Sequence, residues 1–387
     1  MQNQTGSFTV ALFIITFFLV YGGFHLYFFL KIRAAFAPGA AVQILLVALL
    51  ILGMMVPIIV RTSERYGLDA LARFISWVGY LWMAVLLLFF VSSLLMDLYR
   101  LLVPLAGLLL RTDLGAFLPP ARTLFLISVA ASVGIVVYGS FEACRIRVEH
   151  VEIRSTKIPK AAGRIRIVQI SDVHIGVIVR EERLAGMLRK VREAAPDVLV
   201  STGDLLDGQG NDLTEAEAQL REIRPRYGKF AVTGNHEFYA GIDHSLDFMV
   251  QSGFTPLRGE VATVAGAVDL AGVDDPALLR FGPHGMVSDR EVLSRRTGGR
   301  FTVLLKHQPV VEKDAPGAFD LQLSGHTHKG QIFPFSLVTR LVFPLHSGDF
   351  RLANGALLHI SRGTGTWGPP VRFLAPPEIT VIDLSPE

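Results

Sequence analysis

Residues 165–174 read Ile165-Arg-Ile-Val-Gln-Ile-Ser-Asp172-Val-His174, a short apolar run of strand type that ends on a carboxylate and an imidazole. Four further blocks follow the same grammar: Gly203-Asp204-x-x-Asp207, Gly234-Asn235-His236-Glu237, His307 and Gly325-His326-Thr327-His328. Most sit just after an apolar run, and each offers oxygen or imidazole donors. A lone Asp-x-His means little in a chain of 387 residues. Five blocks in this order, each near the end of an expected strand, describe a site built for two metal ions.

Hydrolysing a phosphate ester requires an activated water, neutralisation of charge on the phosphoryl oxygens, and a proton for the leaving oxygen. Two metal ions about 3.5–4 Å apart can supply the first two. The chain provides seven donors with no surplus: Asp172, His174, Asp204, Asn235, His307, His326 and His328. A carboxylate is the natural bridge, since its charge offsets the repulsion between two cations. Mixed imidazole and carboxylate donors suit manganese, iron or zinc better than magnesium or calcium. In an extended segment Asp172 and His174 would point the same way, as would His326 and His328. Gly203, Gly234 and Gly325 precede ligands, where bare backbone permits a sharp turn. His236, beside Asn235, is expected near the metals, either protonating the leaving oxygen or stabilising the charged transition state. Asp207 can orient it through the other ring nitrogen. Glu237 reads as a structural partner of its loop. His150, His244, His284, His346 and His359 fit no block and read as structural or surface.

Outward from the first block, strand and helix patterns alternate. Strands are expected at Val148–Ile153, Ile165–Ile170, Asp197–Ser201 and Lys229–Val232, with helices at Glu181–Ala195, Leu213–Ile223 and Ile242–Ser252. Later strands are expected at Val261–Gly272, Phe301–Leu305, Leu321–Leu323, Ala356–Ile360 and Ile379–Leu384. This order predicts α/β layers, with ligands at the carboxyl ends of strands.

Before residue 142 the chain reads as membrane. Uncharged apolar stretches at 8–30, 40–60, 74–96 and 123–141 each have about the length needed to cross roughly 30 Å of hydrocarbon. Met1–Ser7 carries no positive charge, so a cleaved signal peptide fits the first stretch poorly. Residues 101–110 are too short to span alone and read as an interfacial segment or an extension of the third helix. The organisation expected is thus a transmembrane domain over 1–141, a linker and first strand over 142–164, and a hydrolytic domain over 165–387. Loops 31–39 and 97–122 carry five Lys/Arg, whereas 61–73 and 142–160 carry eight, which favours a cytoplasmic hydrolytic domain. Residues 1–140 hold eight Lys/Arg against four Asp/Glu, and the remainder is nearly balanced, so a nucleic-acid-binding surface is not expected. One cysteine, Cys144, excludes an intrachain disulfide or a cysteine zinc site and reads as a buried thiol. Its neighbour in type, His25, reads as a packing histidine in the first span.

The five blocks resemble those of the calcineurin-like metallophosphoesterase superfamily, over about residues 145–387. The resemblance implies a four-layer α/β/β/α sandwich with a dinuclear centre between the sheet ends. It implies Asp172, His174 and His328 on one metal, Asn235, His307 and His326 on the other, and Asp204 as the bridge. It further implies His236 as catalytic histidine with Asp207 as its carboxylate partner. Protein serine/threonine phosphatases of this superfamily follow the second aspartate with an arginine, where this chain has Gly208, so phosphoprotein substrates are not implied. The tail, Ile360-Ser-Arg-Gly-Thr-Gly-Thr-Trp-Gly-Pro-Pro-Val-Arg372, resembles membrane-associated bacterial phosphodiesterases, a branch that includes enzymes cleaving a nucleotide-linked acylated sugar. That implies a bacterial inner-membrane location.

One segment joins site to membrane. Gln331–Pro344 is densely apolar, with two prolines and one arginine. It reads either as a buried strand pair or as a lip touching lipid, with Phe333, Phe335 and Arg340 on the substrate. The leading expectation is a membrane-embedded phosphodiesterase or pyrophosphatase acting on an amphiphilic, lipid-linked phosphate ester beside a phospholipid bilayer. The alternatives are an enzyme of soluble or cyclic nucleotides that uses the membrane as anchor, and a membrane scaffold or transport component without catalysis.

Overall fold

The computed structural model describes residues 2–208, 212–281, 285–312, 317–353 and 355–387, and His284 lies outside them. The chain divides into two units, Met1–Ser140 and Phe141–Glu387.

The first unit is helical: α1 (Gln2–Phe36), α2 (Ala40–Arg65), α3 (Asp69–Leu110) and most of α4 (Ala121–Glu142). All four are long and apolar enough to cross a membrane. Residues 101–110 prolong α3 through Pro104, giving 42 residues. That is about 60 Å of helix, roughly twice the thickness of a hydrocarbon core. Gly79 of α3 lies where a Cβ would run into Val56 of α2, a close approach of the kind that small residues permit between apolar helices. Lys31 and Asp97 pair one residue beyond the expected span ends, and the Tyr27 hydroxyl donates to Asp97 Oδ2 at 2.6 Å. The helices therefore hold a charge pair that the shorter spans read from sequence left out. His25 packs: it is buried, its Nδ1 lies 2.9 Å from the Tyr21 carbonyl, and Trp82 donates to its Nε2 at 3.2 Å. Cys144 is exposed rather than buried, because α4 ends at Glu142 and the thiol falls in the turn beyond it.

In the second unit the chain runs β1 (Arg147–Ser155), β2 (Ile165–Ile170), α5 (Glu181–Ala194), β3 (Val198–Ser201) and α6 (Thr214–Arg221). There follow β4 (Lys229–Ala231), α7 (Asn235–Ala240), α8 (Ile242–Gln251), β5 (Thr255–Pro256), β6 (Glu260–Val264) and β7 (Val268–Gly272). The one strand expected over 261–272 is a hairpin, because Ala265 and Gly266 take left-handed φ of 53° and 63° and turn the chain back. After α9 (Leu278–Phe281) and α10 (Asp289–Ser294) come β8 (Phe301–Leu305) and β9 (Leu321–Ser324). The tail supplies α11 (Phe335–Val342), β10 (Gly348–Arg351), β11 (Leu357–Ile360) and β12 (Glu378–Pro386).

These strands make two six-stranded sheets, ordered β1-β12-β2-β3-β4-β5 and β10-β11-β9-β8-β7-β6. Period-two alternation explains their stacking. Ile165 and Ile167 of β2, Val198 and Val200 of β3, Val303 and Leu305 of β8, and Leu321 and Leu323 of β9 share one core between the sheets. The opposite face of the second sheet turns Ala271 and Leu304 toward Val292 and Leu293 of α10. Helix α5 buries Leu184, Met187, Leu188 and Val191 and packs on β12 of the first sheet, so helices cover both outer faces and the unit is the expected α/β/β/α sandwich. Buried Lys229 holds two helix ends together, donating to the carbonyls of Leu220 at 2.7 Å and Ser252 at 2.5 Å, and burial lowers its pKa to about 8.

Residues 331–344 form no strand pair. Phe335–Val342 is a helix in which no residue is buried. Pro334 stands just before its first turn and Pro344 just past its end, and the apolar spacing 335, 338, 342 and 337, 341 is helical. Ile332, expected on the lip, is instead buried and bridges to Phe373.

Candidate metal centre

Every block emerges from the carboxyl end of a strand. Asp172 and His174 follow β2, Asp204 follows β3, and Asn235 and His236 open α7 just after β4. His307 follows β8, while His326 and His328 follow β9. Strands β2, β3 and β4 run parallel in one sheet, as β8 and β9 do in the other, so each sheet delivers its donors along one edge.

There the two sets meet. Donor atoms of Asp172, His174 and His328 lie within 4.8 Å of one another, and so do those of Asp204, His307 and His326. In the first group His174 Nε2 and His328 Nε2 are 3.1 Å apart, with Asp172 Oδ1 3.4 Å from the latter. In the second, His307 Nε2 lies 3.2 Å from each of Asp204 Oδ2, His326 Nδ1 and Asn235 Oδ1. Asp204 Oδ2 is also 3.8 Å from His174 Nε2, which puts one carboxylate oxygen between the groups. His174 also groups with Asp207 and His236, but its Nε2 faces His328 and Asp204, so His174 serves the first group.

The local backbone is not the extended chain expected. Asp172, His174, Asp204, His326 and His328 all have φ between 48° and 71°, the left-handed region. Each costs about 1–2 kcal/mol against ordinary backbone and persists because its surroundings over-determine it. The Asp172 N–H donates to the Gly203 carbonyl at 3.0 Å, that of His174 to Asp204 at 3.0 Å, and that of Gly325 to His307 at 2.9 Å. Asp172 in turn accepts from the His326 N–H at 3.0 Å, and Asp204 from the His236 N–H at 2.9 Å. Of the three glycines, only Gly203 turns the chain by a positive φ, of 94°. Gly234 and Gly325 are there for space: a Cβ would strike Asp204 Oδ1 at the one and Ser171 Oγ at the other. Glu237 is the structural partner of its loop, accepting from the N–H groups of Asp204 (2.9 Å), Leu205 (2.8 Å), Leu206 (3.2 Å) and Gly234 (2.6 Å).

The electrostatics fit cations. His307 Nδ1 faces the Thr202 carbonyl at 2.8 Å and donates there, leaving the Nε2 lone pair to the cluster. Burial, opposed by Asp204 and Asp172, would make His307 less basic, but the carboxylates win and raise its pKa well above the usual value. A cation at Nε2 would take the place of that proton. Burial, with help from His307, lowers His326 to about 3, and burial with Arg372 holds His328 well below the usual value, so both imidazoles are neutral donors. Burial, joined by Asp204 and opposed by His307, raises Asp172. Two carboxylates, four imidazoles and the Asn235 amide oxygen thus fit a pair of divalent ions.

Beside this cluster His236 Nδ1–H donates to Asp207 Oδ1 at 2.8 Å. Burial would raise Asp207, but the facing His174 and His236 lower it to about 2. Burial would lower His236, but Asp204 and Asp207 raise it to about 9. Phe333, Phe335 and Arg340 lie on or next to α11 and are exposed, while Phe343 at its end brings its ring centroid to 5.2 Å from His326.

Sequence reasoning passed over Arg372. It is fully buried, and its Nη2 lies 3.0 Å from His328 Nδ1. Its Nη1 donates to the Arg362 carbonyl at 2.7 Å and the His328 carbonyl at 3.1 Å, so it pins the ligand loop to the tail. Its only signal was its place at the end of the Gly-rich tail.

Comparison with known proteins covers the same residues. The calcineurin-like phosphoesterase family matches residues 165–330, a span that holds all seven donors. An uncharacterized metallophosphoesterase of Aquifex aeolicus is 39% identical over 248 residues, 64% of this chain and 95% of that protein. One from Campylobacter jejuni is 32% identical over 68% of this chain and 70% of its own length. A transmembrane protein with metallophosphoesterase domain from Danio rerio is 34% identical over 70% of this chain and 63% of its own. With the sandwich, the paired donor groups and these relatives in agreement, the chain belongs to the calcineurin-like metallophosphoesterases and is a phosphoester hydrolase with a membrane-spanning region.

Proposed function

We propose that the chain cleaves a phosphodiester or pyrophosphate bond in an amphiphilic, lipid-linked phosphate ester, such as a nucleotide-linked acylated sugar. The observation that carries this reading is the orientation of α11. Its apolar residues Phe335, Leu337, Val338, Leu341 and Val342 are exposed, with Leu341 at 84%. Its polar Ser336 faces inward, where Gly330 lets the backbones approach. An amphipathic helix with its apolar face turned out has its partner outside the domain, and Phe343 leads from that face to His326. Acyl chains are the partner that also reaches a phosphate at the metals.

In this reading Asp172, His174 and His328 hold one ion, Asn235, His307 and His326 the other, and Asp204 both. The ions supply an activated water and neutralise phosphoryl charge. His236 supplies the proton: Asp207 occupies Nδ1, so Nε2 is the nitrogen free to reach the leaving oxygen. In this reading the membrane is a bacterial inner membrane, and the eight-to-five excess of Lys/Arg supports a hydrolytic domain on its cytoplasmic side.

The test is a panel of acylated and soluble phosphodiesters, pyrophosphates and monoesters, run on metal-depleted protein resupplied with manganese, zinc or magnesium. The expected result is restoration by manganese or zinc and the fastest turnover on acylated diesters or pyrophosphates. Equal turnover of soluble nucleotides would reduce the membrane part to an anchor, and no restoration by any metal would leave a non-catalytic domain.

A further inference from the structure

Three large aromatic rings stand half in solvent around the nearly buried His236. Tyr239, one helical turn along α7, has its ring centroid 5.3 Å from the imidazole, and Trp367 lies 5.8 Å from it on the tail. Phe281, at the end of α9, sits 5.4 Å from Tyr239. Tyr239 is 45% exposed, Phe281 49% and Trp367 51%.

Packing does not account for them. Helices α7 and α9 join through the buried Phe238, Ala277 and Leu278, with no need of Tyr239 or Phe281. Trp367 is held by its backbone: its N–H donates to Gln331 Oε1 at 2.9 Å, and its carbonyl accepts from Gln331 Nε2 at 2.9 Å. The neighbouring Thr366 hydroxyl accepts from Arg183 at 3.1 Å. A main chain pinned on both sides that leaves its indole outside is a preorganised platform. At its inner end the Tyr239 side chain hydrogen-bonds Asn235, so the wall of rings starts at the metal donors and runs outward. Among the charges felt at Tyr239, the carboxylates of Asp275 and Asp204 outweigh the exposed Arg280 beside Phe281, so the rings themselves, and not a local cation, define this wall.

Position selects the ligand. Tyr239 and Trp367 flank the imidazole assigned to the leaving oxygen and Phe281 extends from Tyr239, whereas the aliphatic helix α11 reaches the centre at His326. Rigid rings beside a phosphate-cleaving centre recognise a planar ring carried by that phosphate, because every nucleobase offers a π-face to stack. We infer that Tyr239, Phe281 and Trp367 form a leaving-group subsite for a nucleoside phosphate. It rests on the hydrolase reading above and on the proton role of His236, and it is independent of the acyl-chain reading of α11.

Binding tests it without turnover. The full chain, in detergent and loaded with manganese, is titrated with uridine or adenosine monophosphate, ribose 5-phosphate and inorganic phosphate. The nucleotides should bind about 10- to 100-fold more tightly than ribose 5-phosphate. That ratio should fall toward one in Trp367→Ala and in Trp367→Leu, which keeps bulk but no ring, and should survive in Trp367→Phe. Phe281→Ala should lower it less, and melting temperatures of the variants establish that each is folded. Equal binding of nucleotide and ribose phosphate by the native chain overturns the subsite, and so does an unchanged ratio in Trp367→Leu. A ring preference in a protein indifferent to acyl chains supports the subsite and retires the lipid-linked reading. Turnover of acylated esters with no ring preference does the reverse.

Discussion

The two flanks of the centre are built on opposite terms. On the strand-end side, five of the seven candidate donors sit on left-handed backbone in a web of buried N–H and carboxylate contacts. On the α11 side no residue is buried and the apolar face looks outward. Chemistry at a fixed point needs donors held within a fraction of an ångström, and strain there is tolerable because neighbours over-determine it. A surface that meets a fluid or variable partner needs area rather than exact placement. The difference teaches that buried constraint in this domain is concentrated around the candidate donors and absent along α11.

The sharpest way to break the strand-end side is Asp204→Asn. It should abolish turnover and lower bound metal at both positions, read by elemental analysis, because the shared oxygen loses its charge. Full activity with two metals retained would sink the dinuclear assignment. Next comes His236→Ala, which should keep both metals while the rate falls roughly 10²–10⁴-fold. The fall should be smaller for nitrophenol leaving groups, and an equal fall on good and poor leaving groups would leave His236 only an electrostatic role.

The other side is broken by replacing Leu337 and Leu341 with serine. Both side chains are exposed, so the melting temperature should hold. The ratio of turnover on acylated over small chromogenic diesters should fall, each lost side chain forfeiting about 1.5–3 kcal/mol if it is fully engaged by the acyl chain. A lowered melting temperature with joint loss of both activities would make α11 a packing element.

The smallest effect comes from a buried imidazole outside the centre. His359 hydrogen-bonds Asp349 at 2.7 Å and Thr380 at 2.9 Å. Burial would lower its pKa, but Asp349 and Glu378 raise it to about 9. A pKa raised above its unfolded value of about 6.5 adds stability that is complete below that pH and is lost as pH rises through about 9. Melting temperature should therefore decline across that window, and His359→Gln should flatten the decline. An unchanged slope would mean that His359 is already neutral in the fold.

Much of this was legible one residue at a time. The candidate donors Asp172, His174, Asp204, Asn235, His307, His326 and His328 stood out because metal chemistry restricts donor types and strand ends restrict their places. The four apolar helices followed from length and lack of charge. The misreadings share a cause. Residues 331–344 carried a helical period, but two prolines and a dense apolar run looked like strand, and a run that short is ambiguous until its neighbours are known. The hairpin at Ala265–Gly266 was hidden in the same way, and Cys144 changed character because the helix stopped two residues earlier.

By itself, then, the sequence singled out the candidate donors and determined the alternation of strand and helix and the four long apolar helices, since these rest on side-chain chemistry and short-range periodicity. Only the tertiary structure decided that five donors sit on left-handed backbone, that α11 turns its apolar face out, and that Arg372 braces His328. It alone brought Tyr239, Phe281 and Trp367 together around His236, although they lie in separate parts of the chain. Contacts of that span depend on how two sheets stack and where their edges meet, and no local pattern of residues carries that information.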